Sequence, residues 1–189
     1  GHTKATYEEA MEGIKCGCSH ATHLFNAMTP FTHREPGVVG AVFDSEITTE
    51  TISDGIHIAY PSLRVAYKQK GTDKVLLITD AMMACCMPDG MYSLGGQDVE
   101  VKNGAARLLS GSLAGSILTL DVAVKNIFKN TNYPLNEVIK MATYNGAKHC
   151  KVDDKKGLIK EGYDADLILF DDNIDIKYVI VNGKLVHKA

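Results

Sequence analysis

One short segment restricts the fold of this chain more than any other. Residues 75–79 form an apolar run that ends abruptly at the carboxylate of Asp80. Because a half-buried strand alternates apolar and polar residues, a continuous apolar run indicates a strand of a parallel sheet that is covered on both faces. An acidic side chain at the end of such a strand suggests a functional role.

Helix-like and strand-like segments alternate around this strand, which is typical of βα units. Thr6 and Glu9 have the spacing of a capping box and predict a helix that ends near Lys15. Pro61 is placed to open a second helix, in which Leu63, Ala66, Tyr67 and Lys70 have helical spacing. Two further strands are predicted at residues 18–23 and 48–53.

The pattern changes after Pro88. Residues 91–109 contain several glycines, and apolar and polar residues alternate over part of the stretch. This pattern predicts a small antiparallel insertion rather than another βα unit. The spacing of apolar residues then predicts helices over 117–129 and 135–143. The last predicted strands cover 165–170, 178–181 and 184–187, and Asn182-Gly183 predicts a type I′ turn between the last two.

Composition excludes several classes of function. The chain has 189 residues, 45% of them hydrophobic, so it can bury a core. Its net charge of -3 offers no basic surface for nucleic acid or an anionic membrane. No apolar run approaches the roughly 18 residues that a membrane crossing requires.

The cysteines lack the paired CxxC spacing of a structural zinc site. There are five of them, at Cys16, Cys18, Cys85, Cys86 and Cys150. We therefore expect free thiols and a cytoplasmic protein. Metal binding or a redox response at Cys16-Gly17-Cys18 or at Cys85-Cys86 is the alternative, although no set of ligands around either pair favours it.

Four polar residues lie at the ends of successive strand-like segments. His2 precedes the capping box, His23 ends the strand at 18–23, His57 follows the strand at 48–53, and Asp80 ends the strand at 75–79. If the strands are parallel neighbours, all four side chains reach the same carboxyl-end rim, where α/β enzymes place their chemistry. Two neutral imidazoles can bind a divalent metal, and a nearby carboxylate can accept a proton from an attacking water. The plainer alternative is that the histidines are structural and that Asp80 is a helix N-cap.

Seven stretches of the sequence match a known pattern. They are GHTKATY (1–7), ATHLFNAM (21–28), REPGVVGA (34–41), SDGIH (53–57), ITDAM (78–82), LAGSILTLD (113–121) and the tail GLIKEGYDADLILFD (157–171). Together they resemble the N-acetylglucosamine-6-phosphate deacetylase family of the amidohydrolase superfamily of metal-dependent (β/α)8 barrels. The first five stretches follow the family's order with nearly its spacing.

The resemblance implies a role for each matched residue. His2 and His23 would be ligands of a divalent metal, zinc or iron(II). Asp80 would deprotonate the attacking water and then protonate the departing amine. The other matched residues would contact the substrate. They are Asn26 and Ala27 near the sugar phosphate, His57, Leu113, Ala114 and Gly115 over the sugar, and Arg34, which would reach the phosphate in the neighbouring subunit of a homodimer.

The resemblance also implies which part of the fold is present. The family barrel has eight strands, and this chain begins at the end of the fifth. We therefore expect the C-terminal half of a (β/α)8 TIM barrel in residues 1–154 and the C-terminal strands of a small β-sandwich domain in residues 155–189. A glutamate that completes the metal site and a histidine that polarises the acetamide would lie in the missing N-terminal half. Because a half-barrel has unpaired strand edges, we expect this chain to require that half.

The implied function is the hydrolysis of N-acetylglucosamine 6-phosphate to glucosamine 6-phosphate and acetate in amino-sugar catabolism. Two alternatives remain. One is a different amidohydrolase that acts on a cyclic amide or an amino-base, for which LFNAM together with REPG would be unexpected. The other is a catalytically incomplete half-domain, which the absent glutamate favours.

Overall fold

Six α-helices and nine strands in three small sheets organise the chain, and the computed structural model describes residues 1–189. The helices are α1 (Tyr7–Lys15), α2 (Gly37–Phe43), α3 (Tyr60–Lys70), α4 (Leu120–Asn130), α5 (Leu135–Ala142) and α6 (Tyr144–His149), with a 3-10 turn at Thr72–Lys74. The strands are β1 (His20–Ala21), β2 (Thr48–Ile52), β3 (Val75–Ile78), β4 (Gly90–Leu94), β5 (Gln97–Lys102), β6 (Ala105–Leu108), β7 (Leu167–Phe170), β8 (Ile176–Val181) and β9 (Lys184–Lys188).

The first sheet is parallel, with the strand order β1-β2-β3. Val75, Leu76 and Leu77 of β3 are all buried, as the continuous apolar run predicted. Two isolated parallel bridges extend this arrangement beyond the strand ends, one between Thr3 and Met28 and one between Ala81 and Ser116. The carboxyl ends of the parallel strands therefore lie on one rim.

Helix α3 packs against the outer face of this sheet. The four residues with helical spacing are all buried, including Lys70. The Nζ of Lys70 donates hydrogen bonds of 2.7 Å to the carbonyl of Val42, in the last turn of α2, and to the carbonyl of Ser45, just beyond it. The lysine therefore satisfies carbonyl groups at the end of α2 that would otherwise lack donors.

Two element predictions need correction, and two helices were not predicted. Helix α4 begins at Leu120 rather than at residue 117, because Thr119 is extended, with φ -99° and ψ 156°. Strand β1 contains only His20–Ala21, since the chain turns at Thr22. Helices α2 and α6 had no sequence signal: α2 is apolar on every side, and α6 is a six-residue helix that follows α5 directly.

The other two sheets are antiparallel. Strands β4, β5 and β6 form the predicted antiparallel insertion. Strands β7, β8 and β9 form the tail, and Asn182 and Gly183 have φ values of 49° and 74°, as a type I′ turn requires. Ile174, between β7 and β8, is buried in the same apolar cluster as Val75 and Met141, so the tail is anchored to the main core. No helix has both the length and the apolar character that a membrane crossing requires.

Candidate functional site

His2 and His23 lie together at the carboxyl ends of the parallel strands. Their ring centroids are 4.7 Å apart, and the rings meet edge to face. A Cβ on Gly1 would lie 2.0 Å from Oγ1 of Thr22, so only glycine allows the first residue to approach this strand end so closely. The structure therefore brings together the two histidines that the sequence proposed as metal ligands.

The backbone at both histidines is unusual. His2 has φ 51° and His23 has φ 29°, in the left-handed region that residues with a side chain seldom adopt. Asp80, at the end of β3, shares this feature, with φ 48°. Strained backbone of this kind costs about 1–3 kcal/mol per residue and concentrates at functional sites. Three of the four candidate residues therefore share a left-handed backbone conformation.

The chemistry of the two histidines fits part of a divalent metal site. Nδ1 of His23 is buried and has no hydrogen-bond partner. A buried ring nitrogen without a partner is costly unless a ligand occupies it. No third His, Cys, Asp or Glu side chain joins the pair to complete a cluster. This chain therefore offers two imidazole ligands, which are fewer than a structural or catalytic zinc site contains.

The carboxylate of Asp80 is exposed and makes no hydrogen bond with the protein, whereas its backbone is firmly held. The amide of Ser116 donates to the Asp80 carbonyl at 2.8 Å, and the amide of Met82 donates to the Ser116 carbonyl at 2.8 Å. A Cβ on Gly115 would lie 3.2 Å from that same Asp80 oxygen. The segment 113–116 thus packs directly on Asp80 and fixes the direction in which its side chain leaves β3.

Residues Leu113, Ala114 and Gly115 therefore lie beside Asp80. Their contact with the substrate stays a prediction. Ala114 is buried, and its amide donates to the carbonyl of Ala106 at 3.1 Å. Leu113 forms an antiparallel bridge with Arg107. The loop is therefore an extension of the β6 hairpin rather than a free connection.

His57 occupies the loop after β2 and is oriented by Asp54. Nδ1 of His57 lies 2.6 Å from Oδ2 of Asp54, and the other oxygen of Asp54 accepts the amides of Ile56 and His57 at 2.8 Å each. Burial alone would raise the pKa of Asp54, but these hydrogen bonds lower it below its usual value. The carboxylate therefore stays ionised and accepts a hydrogen bond from the Nδ1–H group of His57. In the neutral imidazole, Nε2 is then the nitrogen that can accept a hydrogen bond.

Asn26 and Ala27 lie three and four residues after His23. The Asn26 amide donates to the His23 carbonyl at 3.0 Å, and its Nδ2 donates to the Leu24 carbonyl at 3.1 Å. Ala27 lines an open cleft of about 490 Å³ beside His2. The other residues of this cleft are Thr3, Lys4, Met28, Thr29 and Pro30.

Arg34 lies on an exposed turn between β1 and α2. The turn is closed by Thr32, whose amide and hydroxyl both reach the Glu35 carbonyl at 3.0 Å. Arg34 itself makes no hydrogen bond or ion pair within the chain. The structure does not bring it into contact with His2, His23 or Asp80.

A larger cavity of about 710 Å³ lies elsewhere, between α1, α2 and α3. It is lined mainly by aromatic and other apolar side chains, among them Phe25, Phe31 and Phe43. None of the candidate site residues lines it. We therefore place the candidate site at the rim of the parallel sheet.

Two residues of the site were missed in the sequence. Asp54 is one, although its position three residues before His57 is the spacing of a side chain that accepts backbone amides in a turn. Ser116 is the other: it is buried and its hydroxyl donates to the carbonyl of Thr79, as well as holding Asp80 through its amide. No local sequence signal marks Ser116, because its partners lie 36 and 37 residues away along the chain.

Several known proteins are similar to this chain in sequence. The model of the amidohydrolase family matches residues 1–186. N-acetylglucosamine-6-phosphate deacetylase of Lysinibacillus sphaericus is 47% identical over 98% of this chain and 48% of its own length. N-acetylgalactosamine-6-phosphate deacetylase of Escherichia coli O157:H7 is 36% identical over 98% of this chain and 49% of its own length.

A solved structure gives the same result for the fold. The crystal structure of N-acetylglucosamine-6-phosphate deacetylase from Pasteurella multocida superposes with a TM-score of 0.95 and 39% identity, over 98% of this chain and 49% of that one. The expected fold class, part of an amidohydrolase TIM barrel, is thereby confirmed. The chain spans about half the length of these relatives. It belongs to the amidohydrolase family.

Proposed function

We propose that this chain is part of an amide hydrolase that removes acetate from N-acetylglucosamine 6-phosphate. The observation that carries the proposal is the placement of Asp80, whose exposed carboxylate leaves a buried strand on the rim that also holds His2 and His23. The names of the relatives support the substrate class. Asp80 would accept a proton from the attacking water and then donate one to the departing amine.

His2 and His23 would hold a divalent metal, zinc or iron(II), as two of its ligands. When bound, such a metal supplies a Lewis acid that polarises the amide carbonyl and lowers the pKa of a water molecule. Within this chain the histidines hold their rings 4.7 Å apart, and the strained backbone at each ring sets the direction of the side chain. Imidazole ligation does not distinguish zinc from iron(II).

The phosphate of the substrate would be bound by groups that carry positive charge or N–H donors. Arg34 has no partner within the chain, which suits a guanidinium that serves a neighbouring subunit of a homodimer. Asn26, beside His23, would contact the sugar phosphate together with Ala27.

The free thiols of all five cysteines support a cytoplasmic location.

His57 and the loop Leu113, Ala114 and Gly115 would complete the sugar site. Nε2 of His57 is free to accept a hydrogen bond because Nδ1 is taken by Asp54. Such a nitrogen suits a sugar hydroxyl. The epimeric substrate N-acetylgalactosamine 6-phosphate is a second candidate, since one relative is named for it.

The test is the Asp80→Asn variant of the enzyme that contains this chain. We expect it to bind N-acetylglucosamine 6-phosphate with a Kd close to the original and to lose acetate release by about 10²–10⁴-fold, the usual contribution of general acid-base catalysis. Asp98→Asn is the matched control, because Asp98 is an exposed aspartate on β5 whose side chain makes no hydrogen bond or ion pair. Ordinary turnover by Asp80→Asn would overturn the proposal. Running N-acetylgalactosamine 6-phosphate and unphosphorylated N-acetylglucosamine in parallel separates the substrate alternatives.

A further inference from the structure

Two adjacent cysteines lie side by side near the candidate site. The Sγ atoms of Cys85 and Cys86 are 3.8 Å apart. Neighbouring side chains of an extended chain point to opposite sides, so adjacent cysteines meet only where the backbone turns. Cys86 provides that turn, with a left-handed φ of 65°. The pairing of the two thiols is therefore a consequence of the local backbone conformation.

The turn that carries these thiols is held by buried neighbours. Met82 and Ala84 are buried in a cluster with Val99 and Ala114. The Cys85 amide donates to the Met82 carbonyl at 3.0 Å, and the Met87 amide donates to the Ala84 carbonyl at 3.0 Å. The thiols are thus held close together before any ligand arrives, which reduces the conformational entropy lost on binding.

The other cysteines are arranged differently. Sγ of Cys16 lies 3.9 Å from a carboxylate oxygen of Glu12, and Sγ of Cys18 lies beside Gly13. Cys150 is exposed and solitary. Although the sequence offers two candidate pairs, only the thiols of Cys85 and Cys86 approach one another.

We propose that Cys85 and Cys86 form a vicinal dithiol site that binds one trivalent arsenical through both sulfur atoms. With an organoarsenic oxide, the As=O double bond and two S–H bonds break, two As–S bonds and the two O–H bonds of water form, and that one water leaves. The arsenic stays trivalent throughout, so no oxidant or reductant is required. Thiolates are soft ligands that favour soft centres. Zinc fits less well, because no third His, Cys, Asp or Glu completes a cluster here.

The site adjoins the segment that packs on Asp80. Sγ of Cys85 lies 3.4 Å from the Ile117 carbonyl and 3.7 Å from the Leu118 carbonyl, directly after the residues that bond to Asp80. Burial, the Cys86 thiol and the charge of Asp121 all raise the pKa of Cys85 above its ordinary value, so Cys85 is present as a thiol. A bound arsenical would occupy the surface next to the candidate catalytic segment.

Phenylarsine oxide is the probe that tests the site. The reduced protein is treated with one equivalent under native conditions, and its intact mass is measured. We expect one phenylarsenic group per chain, resistant to excess monothiol and removed by a dithiol, because two sulfurs hold it. The double variant Cys85→Ser/Cys86→Ser should lose the adduct, and each single variant should bind it at least tenfold more weakly since the chelate is lost.

The matched control is Cys16→Ser/Cys18→Ser, which removes the other closely spaced pair and should retain the adduct. Loss of the adduct in this control, or its retention in Cys85→Ser/Cys86→Ser, would overturn the proposal. Circular dichroism of each variant establishes that folding is unchanged. The measurement does not depend on enzymatic activity, so its failure is distinct from failure of the proposed deacetylation.

Discussion

Nδ1 of His57 lies 2.6 Å from Oδ2 of Asp54, within a loop where the same carboxylate also accepts two backbone amides. His57 and Asp54 are both largely shielded from solvent, with 7% and 11% of their side chains exposed. A histidine held in this way has one tautomer and one orientation. The relationship makes Asp54 a positioning residue for the proposed substrate contact.

Replacing Asp54 by asparagine should weaken substrate binding through His57. The amide presents an N–H to Nδ1 and so favours the other tautomer, in which Nε2 carries the proton. We expect a fall in kcat/KM of about 10–100-fold, the range seen when an orienting partner is lost, mostly through KM. Steady-state kinetics on N-acetylglucosamine 6-phosphate measure it, with Asp98→Asn as the control. Unchanged KM in Asp54→Asn would contradict the role.

Acid should destabilise the protein partly through Asp54. Burial opposes ionisation of this carboxyl, but its hydrogen bonds lower its pKa below the ordinary value of 3.8. Since the folded pKa is the lower one, the stabilisation is present above about pH 4 and is lost as the pH falls through the folded pKa. Denaturant unfolding at a series of pH values below 5 tests this. Asp54→Asn should show a shallower acid dependence, and an identical slope would count against the assignment.

Gly115→Ala should disturb Asp80. Gly115 has φ +65°, and an added Cβ would lie 3.2 Å from the Asp80 carbonyl and 3.3 Å from Cβ of Met82. Gly95→Ala is the matched control, because Gly95 has φ +58° but no atom within 4 Å of the added carbon. Both variants should lose about 1–2 kcal/mol from backbone strain. Only Gly115→Ala should also lower kcat, and equal kcat in the two variants would show that the contact with Asp80 is unimportant.

Tyr67→Phe should loosen the attachment of α3 to β2. The buried Tyr67 hydroxyl lies 2.8 Å from Oγ1 of Thr51 and 3.1 Å from Oγ of Ser53. Removing it should lower the free energy of unfolding by about 1 kcal/mol. Tyr133→Phe serves as the control, since the Tyr133 hydroxyl has no hydrogen bond. If both variants unfold at the same denaturant concentration, the network contributes nothing measurable.

The same tyrosine gives an alkaline prediction. Burial raises the pKa of Tyr67 to about 12 from the usual 10.0. The unfolded chain loses this proton first, so the stabilisation is complete below pH 10 and is lost as the pH rises through the folded pKa. Urea unfolding between pH 9 and pH 12 should therefore show a steeper fall for the original chain than for Tyr67→Phe.

Thr6→Ala should destabilise the start of α1. Oγ1 of Thr6 accepts the Glu9 amide at 3.2 Å, and Oε2 of Glu9 accepts the Thr6 amide at 2.8 Å. Loss of an N-cap hydroxyl costs about 1 kcal/mol. Thr6→Ser keeps the hydroxyl and should leave the unfolding midpoint nearly unchanged. A similar loss in both variants would indicate that the methyl group, not the cap, is responsible.

The sequence by itself determined the elements that depend on local physics. The capping box at Thr6, the buried run that ends at Asp80 and the turn at Asn182-Gly183 all adopt the structure that their patterns predicted. In each of these, the controlling interactions lie within a few residues or repeat with the period of the element. The motifs likewise identified the family, because they record residue types in order along the chain.

Only the tertiary structure decided the directions in which the side chains of the candidate site point. The contact between His2 and His23 joins residues 21 positions apart in the chain, and the hydrogen bond from Ser116 to Asp80 joins residues 36 positions apart. Histidine and aspartate adopt the left-handed conformation more often than most residues with a side chain, but it remains uncommon for them, so we infer that long-range packing holds it at these positions. The pairing of Cys85 with Cys86 likewise depends on the backbone at Cys86, which the buried neighbours of its turn hold in place. Sequence patterns predict which side chains reach the rim, whereas contacts between distant segments fix their directions.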